Sequence, residues 1–543
     1  MGSIFYDYLR GDTLLEQGKL KRQLSLTDLT FLSLGAIIGS GWLLGAQGGA
    51  AIAGPAAWIS WVIGGIAVML IGLVYAELGG ALPRAGGIIR YPDYSHGPIV
   101  GYLMGFAALI AYSSVAAIEA EAVRQYAMHW WPALGYSTGV NPTPFGWFVQ
   151  AILLVIFFLI NYWSVNVFGK INSFVTAIKF IVPTLTVIIF FTQFKAGNFT
   201  SHGFAPTGFT GIELAVATGG IVFSYLGFRQ AVDFAGEAKN PQRTVPLAVI
   251  VSITIGIVLY VLLQVVFVGA VPANALGAGW AKLSYSSPFA QLASAMGLGW
   301  FATILFADAV ISPSGTGNIY LSSTARVIFA WARTGTFFKL FSRVSPQTGV
   351  PRPALWLSFI LSIIWTLPFP TWQTLVGVIS AATVMTYLIG PISAAAFRKT
   401  APDMKRPFRL GGMNVIAPIA FIIASLIIYW TSWGIDDWLI GLQIGVWLIY
   451  LIFSGSMPKS KVSFGQAFKS SIWLIVYYAV LLLISRLGDP AFGGTGAIPG
   501  PWDQILVIIV SLAAYYWGVA SALPNPSLEA EATEEELDGP IVS

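Results

Sequence analysis

The chain contains no cysteine among its 543 residues and only three histidines, His96, His129 and His202. Disulfides and thiolate metal sites are thereby excluded, and the histidine spacing matches no helical metal-binding pair. Charge is also scarce, with Asp, Glu, Lys and Arg making up 9% of the residues, where a soluble domain carries about 25%. The remainder is dominated by apolar side chains, 56% of the chain, and in water such a composition would leave large apolar patches exposed. Lipid is the solvent that fits. The net charge of +5 does not mark a nucleic-acid binder, because the charges fall in loops between apolar runs. Residues 1–28 are polar and charged and hold no apolar core of a cleavable signal, so the first span is expected to direct insertion.

A helix needs ~20 apolar residues to cross the hydrocarbon layer. Runs of about that length lie near 29–52, 57–78, 98–126, 147–165, 173–194, 212–233, 245–269, 291–325, 354–369, 373–395, 414–433, 438–454, 470–486 and 503–522. They lack the alternation of a barrel strand, which predicts an all-α integral membrane protein of about fourteen spans. With the N-terminus inside, most of the 28 lysines and arginines fall on the cytoplasmic side, while Arg124, Lys195, Lys282 and Arg486 fall outside. That asymmetry obeys the positive-inside rule and puts both termini in the cytoplasm. The expected division is a cytoplasmic segment 1–28, a transport core 29–395, additional helices 396–522 and an acidic tail 523–543.

Spans one and six are interrupted. Span one carries Gly35, Gly39-Ser40-Gly41 and Gly45; span six carries Gly219-Gly220, Phe223-Ser224 and Gly227. Each glycine costs a helix ~1 kcal/mol against alanine, so clusters near the midplane invite unwinding. Peptide groups freed at that depth are tolerated only where they line a cavity or bind something. A resumed half-helix presents its positive end to a carboxylate, and freed carbonyls suit an ammonium. A zwitterionic amino acid satisfies both. Gly35 and Gly45 read as packing glycines instead. The two breaks lie in spans five places apart, so they run in opposite senses, the sign of an inverted-repeat transporter.

Gly39-Ser40-Gly41 resembles the substrate-carboxylate motif of the amino acid–polyamine–organocation permeases. Tyr75-Ala76-Glu77-Leu78 with Pro83-Arg84 and Gly86-Gly87, the stretch Phe223 to Phe228 followed by Gly236-Glu237, Lys239-Asn240-Pro241, Arg243 and Pro246, and Ala325-Arg326 through Arg333 and Gly335 are similar to that family as well. The resemblance covers roughly 24–455. It implies a five-plus-five inverted-repeat core in spans one to ten and alternating access. It further implies that Gly39, Ser40 and Gly41 hold a carboxylate, and that backbone around Phe223, Ser224 and Gly227 holds the amine. The last two spans lie outside the shared pattern and receive no transport role.

Charges inside a bilayer are costly and mark function. Lys179 lies in span five, where the resemblance implies a lysine standing in for the sodium ion of sodium-coupled relatives and taking part in proton coupling; a lysine snorkelling to the cytoplasmic face is the plainer alternative. Arg229 follows the second break and offers a fork for a substrate side-chain carboxylate, hence aspartate or glutamate; an ion pair with Asp233, Asp308 or Glu119 would also explain it. Glu119 and Asp308 are weaker candidates for accepting a proton, with Glu121 beside them. Tyr112 would close over a substrate or simply pack, Glu77 would join a cytoplasmic loop network, and the tryptophans read as belt and packing residues.

The expected activity is proton-coupled symport of an amino acid, acidic by first preference, driven by the proton gradient with no bound cofactor. Exchange, a neutral or cationic substrate, and a nutrient sensor on a transporter fold stay open. An enzyme would need a nucleophile–base pair or metal ligands, and no such set stands out. The cell membrane is the expected location, and the sequence does not fix the oligomeric state.

Overall fold

The computed structural model describes residues 23–84, 86–137, 139–163, 165–345, 347–454 and 462–524. Most of the N-terminal segment, the acidic tail from residue 525 and the loop holding Lys459 and Lys461 lie outside the described residues. Those described form helices and connecting turns, and their only strand-like pairings are the isolated bridges Leu24–Ala238 and Gly135–Pro142. Among them, nine helical segments are long and apolar enough to cross a membrane, and ten when Gly208–Thr218 and Ile221–Asp233, bent by 46° at their junction, count as one. In lipid the backbone must satisfy itself, which is why helix is the default here.

Helix starts are written locally. Ser25 and Asp28 form a capping box for Leu26–Ile37, as Thr371 and Thr374 do for Trp372–Thr400. Proline opens Pro98–Ala127, Pro241–Ala270 and Pro288–Ala295, where a missing N–H costs nothing.

The first expected span is two helices, Leu26–Ile37 and Ser40–Ala53. The sixth is Gly208–Thr218 followed, after Gly219-Gly220, by short helical turns from Ile221 to Asp233. Around these, Gly299–Arg333 packs along Pro98–Ala127 and Pro241–Ala270 along Ala57–Ala81, the most extensive helix pairings in the molecule. Three boundaries differ from expectation. Residues 87–96, polar enough to pass for a loop, form the helix Gly87–His96. The eighth run divides at Gly297, whose φ of 77° suits glycine, into Pro288–Ala295 and Gly299–Arg333. That second helix continues through Arg326 to Arg333, past the expected end at 325, because Arg326 is buried against Glu237 rather than solvated.

The C-terminal helices dock on the core. Gln504 Nε2 donates to Glu213 Oε2 at 2.9 Å, and the Leu523 N–H donates to the Ser95 carbonyl at 2.8 Å. The His96 ring lies 2.9 Å from the Gly518 carbonyl.

Candidate functional site

The first break spans Ile38 and Gly39, whose backbone angles (φ −84°, ψ 81° and φ −121°, ψ −142°) leave the helix. The Gly39 N–H turns back to the Ile37 carbonyl at 3.0 Å, and side chains from other helices hold the other groups freed there. The Ser40 N–H, at the start of the resumed helix, donates to Glu119 Oε2 at 2.8 Å, and Ser40 Oγ donates to Glu119 Oε1 at 3.1 Å. Tyr260 donates to the Ile37 carbonyl at 2.6 Å. Thr316 Oγ1 reaches the Gly35 carbonyl at 2.8 Å and that of Ile38 at 3.3 Å. Lys179 Nζ donates to the Gly35 carbonyl and, at 2.7 Å, to Thr316 Oγ1. Lys179 is fully buried, so its ammonium is turned into the break and does not snorkel.

A carboxylate on the half-helix N-terminus and an ammonium on freed carbonyls are the two contacts that a zwitterion was expected to make. Here Glu119 and Lys179 make them. The glycines fit this closeness: a Cβ on Gly39 would lie 2.6 Å from Thr316 Oγ1 and 2.8 Å from Glu119 Oε1.

The second break turns at Gly220, with φ 86°. It faces the first directly. A Cβ on Gly41 would lie 2.2 Å from Ser224 Oγ, and one on Gly227 would lie 2.3 Å from the Ile37 N. Gly227 thus sits where the two backbones touch. Ser224 Oγ turns back to the Gly220 carbonyl at 2.7 Å.

One side chain joins both breaks, and nothing singled it out among twenty tryptophans. Trp372, at the start of its helix, donates its indole N–H to Ser40 Oγ at 2.7 Å. Its ring meets Phe223 edge-on at 5.9 Å, and a Cβ on Gly220 would lie 2.4 Å from it. Phe223 is 8% exposed, whereas Ser40, Ser224 and Arg229 are at 2% or less.

Arg229 lies beyond the second break, with its guanidinium 3.5 Å from the Tyr112 ring centre, 5.3 Å from that of Tyr320 and 5.9 Å from that of Tyr387. None of its three side-chain nitrogens meets an acceptor at hydrogen-bond geometry, nor do Gln230 and Asp233 Oδ1 nearby, although the Tyr320 hydroxyl lies close to both Arg229 and Gln230. Asp233 Oδ2 instead accepts from Tyr112 at 2.6 Å, so Tyr112 is a fixed wall of this cluster. Cation–π contact holds a guanidinium in place without using its N–H groups. A guanidinium fork is chemically able to pair with a planar carboxylate.

Asp308 lies elsewhere, two turns along Gly299–Arg333 from Thr316. Its two oxygens lack partners, as do those of buried Glu121. Glu77 joins a network with a neighbouring loop, accepting from Arg398 Nε at 2.9 Å and from the Leu410 N–H at 2.7 Å. A second clamp is the fork of Arg326 on Glu237, at 2.5 and 3.1 Å.

The sequence pattern of the amino acid permease family matches residues 24–484. Over 517 residues, 95% of this chain and 99% of the relative, the sequence is 48% identical to an aspartate-proton symporter of Bacillus subtilis (strain 168). It is 41% identical over 518 residues to the glutamate/serine transporter AimA of the same organism, covering 94% of this chain and 96% of that one. The branched-chain amino acid permease BcaP, also from that organism, is 26% identical over 452 residues, 81% of this chain and 94% of its own length.

Proposed function

The chain belongs to the amino acid permease family, and from that premise we propose that it carries an acidic amino acid, aspartate or glutamate, across the cell membrane together with a proton. The observation that carries the substrate class is Arg229, a buried guanidinium whose three nitrogens have no hydrogen-bond partner. A neutral substrate would leave it so. A side-chain carboxylate would replace unmet donors with charge-assisted bonds of ~1.5–3 kcal/mol each. Tyr112 beneath Arg229 and Glu119 at the first break lie seven residues apart on one helix, ~10 Å of rise. An extended dicarboxylic amino acid and the flexible arginine chain together close that separation.

The α-carboxylate takes the Ser40 N–H from Glu119, with Gly39 and Gly41 giving it room, and the α-amine takes the freed carbonyls of the breaks near Phe223, Ser224 and Gly227. Glu119 leaves most readily as the neutral acid, so a proton and the substrate favour the same state. Lys179 is the coupling group: charged, it ties Gly35 to Thr316; neutral, it loosens the first break from its scaffold. The proton gradient supplies the driving force, and Asp308 is the outward proton acceptor.

The reading extends to fourteen spans with both termini in the cytoplasm. Ser40–Ala81, 42 residues taken together, would rise ~63 Å as one helix, twice the hydrocarbon thickness, and divides naturally at Gly54-Pro55. Spans one and six, two and seven, and three and eight pack as pairs, each member five spans from its partner, as a five-plus-five inverted repeat requires. The Glu77 and Glu237 clamps seal the cytoplasmic side in this state.

The test is a competition screen in liposomes holding the purified protein, with labelled aspartate outside and a pH gradient imposed or collapsed. Aspartate and glutamate should compete best, and accumulation should require the gradient. Equal competition by neutral or cationic amino acids would overturn the acidic assignment.

A further inference from the structure

Outward of Lys179, the structure holds a second polar group in the membrane interior, formed by Asp308 and Ser312 with Trp42 of the resumed first span. All three are buried to 1% exposure or less. The Asp308 carboxylate faces the Ser312 hydroxyl and the Trp42 indole N–H, yet both Asp308 oxygens, Ser312 Oγ and Trp42 Nε1 lack a direct hydrogen bond. A buried polar atom left without a partner costs ~1–3 kcal/mol, and these four lie close together without reaching hydrogen-bond geometry.

Their register gives the reason. Asp308, Ser312 and Thr316 follow at intervals of four on Gly299–Arg333, so they line one face of that helix, with ~5–6 Å between successive Cβ atoms. Thr316 is the residue to which Lys179 donates. Pro313, inside this helix, brings no N–H and so cannot bond the Ala309 carbonyl, next in sequence to Asp308. Among the described residues, the titratable groups that interact with Asp308 from other helices are Lys179 and Tyr126. The Tyr126 hydroxyl is committed to the Leu43 carbonyl at 3.2 Å, which leaves Lys179 as the group able to exchange a proton with Asp308.

We propose that Asp308, Ser312 and Trp42 form the outer station of a proton relay that loads Lys179 along one face of the eighth span. Asp308 takes a proton from the outer side. The proton passes by way of the Ser312 and Thr316 hydroxyls, each accepting one and releasing one, to the neutral Lys179 amine. Asp308 returns to carboxylate and Lys179 becomes the ammonium. The Trp42 N–H steadies the carboxylate between transfers. This rests on the reading of Lys179 as the coupling group and adds the route by which it is charged.

The experiment compares wild type, D308N and S312A in liposomes, by aspartate uptake under an imposed pH gradient and by counterflow of labelled against unlabelled aspartate at equal pH. Wild type must show gradient-driven uptake; if it does not, the underlying reading fails and not the relay. For D308N, driven uptake should fall about tenfold or more, the scale on which proton-transfer groups act, while counterflow persists. S312A should slow driven uptake and leave counterflow alone. Driven uptake by D308N with an unchanged pH profile would overturn the proposal. Equal loss of both activities would also overturn it, assigning Asp308 a structural role. A dependence on external sodium that D308N abolishes would overturn it in favour of a cation site.

Discussion

The two breaks differ in how their polar groups are partnered. The first is filled from within: Glu119 sits on the Ser40 N–H, Lys179 on the Gly35 carbonyl and Tyr260 on that of Ile37. The second leaves Arg229 stacked on Tyr112 with its N–H groups unmet. A carboxylate and an ammonium are common to every amino acid, so the protein is able to imitate them with its own side chains. The substrate's side chain is what varies, and on the proposed reading the region past the second break receives it. On this view the first break sets coupling and the second sets selectivity.

The largest effect should come from Lys179→Gln, which keeps a donor for Thr316 but cannot carry a proton. Gradient-driven accumulation of aspartate should vanish, and the residual transport should no longer respond to pH. Accumulation at the wild-type level would remove the first break from coupling.

Next is Arg229→Ala. Loss of one or two charge-assisted bonds should weaken aspartate by about 10- to 100-fold, measured as KM or as competition, with neutral amino acids affected far less. A uniform loss across substrates would mean that Arg229 is structural and that the breaks do not divide the work.

Trp372→Phe should be mildest. It deletes the hydrogen bond to Ser40 while keeping an aromatic ring against Phe223, a change of about 1 kcal/mol or roughly fivefold. Because it acts on the break that handles the common part, KM should shift by the same factor for aspartate and for neutral competitors. A shift confined to acidic substrates would blur the distinction.

Both breaks were legible in the sequence because glycine and serine clusters contradict the helix that the surrounding residues demand. Lys179 and Arg229 stood out for a similar reason, since a cation in an apolar run has to be explained. What the pattern could not show was partnership across the fold. Glu119 is 79 positions from Ser40, and Trp372 is 332; no local rule connects them. Trp372 was hidden among twenty tryptophans, whose ordinary role in membranes is packing or interface anchoring. Nor could the pattern show that Gly227 lies where the two broken helices touch, since a glycine that lets helices approach and one that offers bare backbone have the same sequence signature. The helix Gly87–His96 was missed because its polarity matched that of a loop, and the eighth helix was cut short because arginine normally marks the edge of the membrane, whereas Arg326 is neutralised by Glu237.

The absence of native cysteine allows the facing of the two breaks to be probed by one introduced thiol. Ser224 lies opposite Gly41 and spends its hydroxyl on its own helix, so Ser224→Cys should still transport. Its labelling by a small thiol reagent should be slowed by aspartate, half-maximally at the concentration that half-saturates uptake. Labelling at an unchanged rate under saturating aspartate, in protein that still transports it, would mean that substrate does not pass between the breaks.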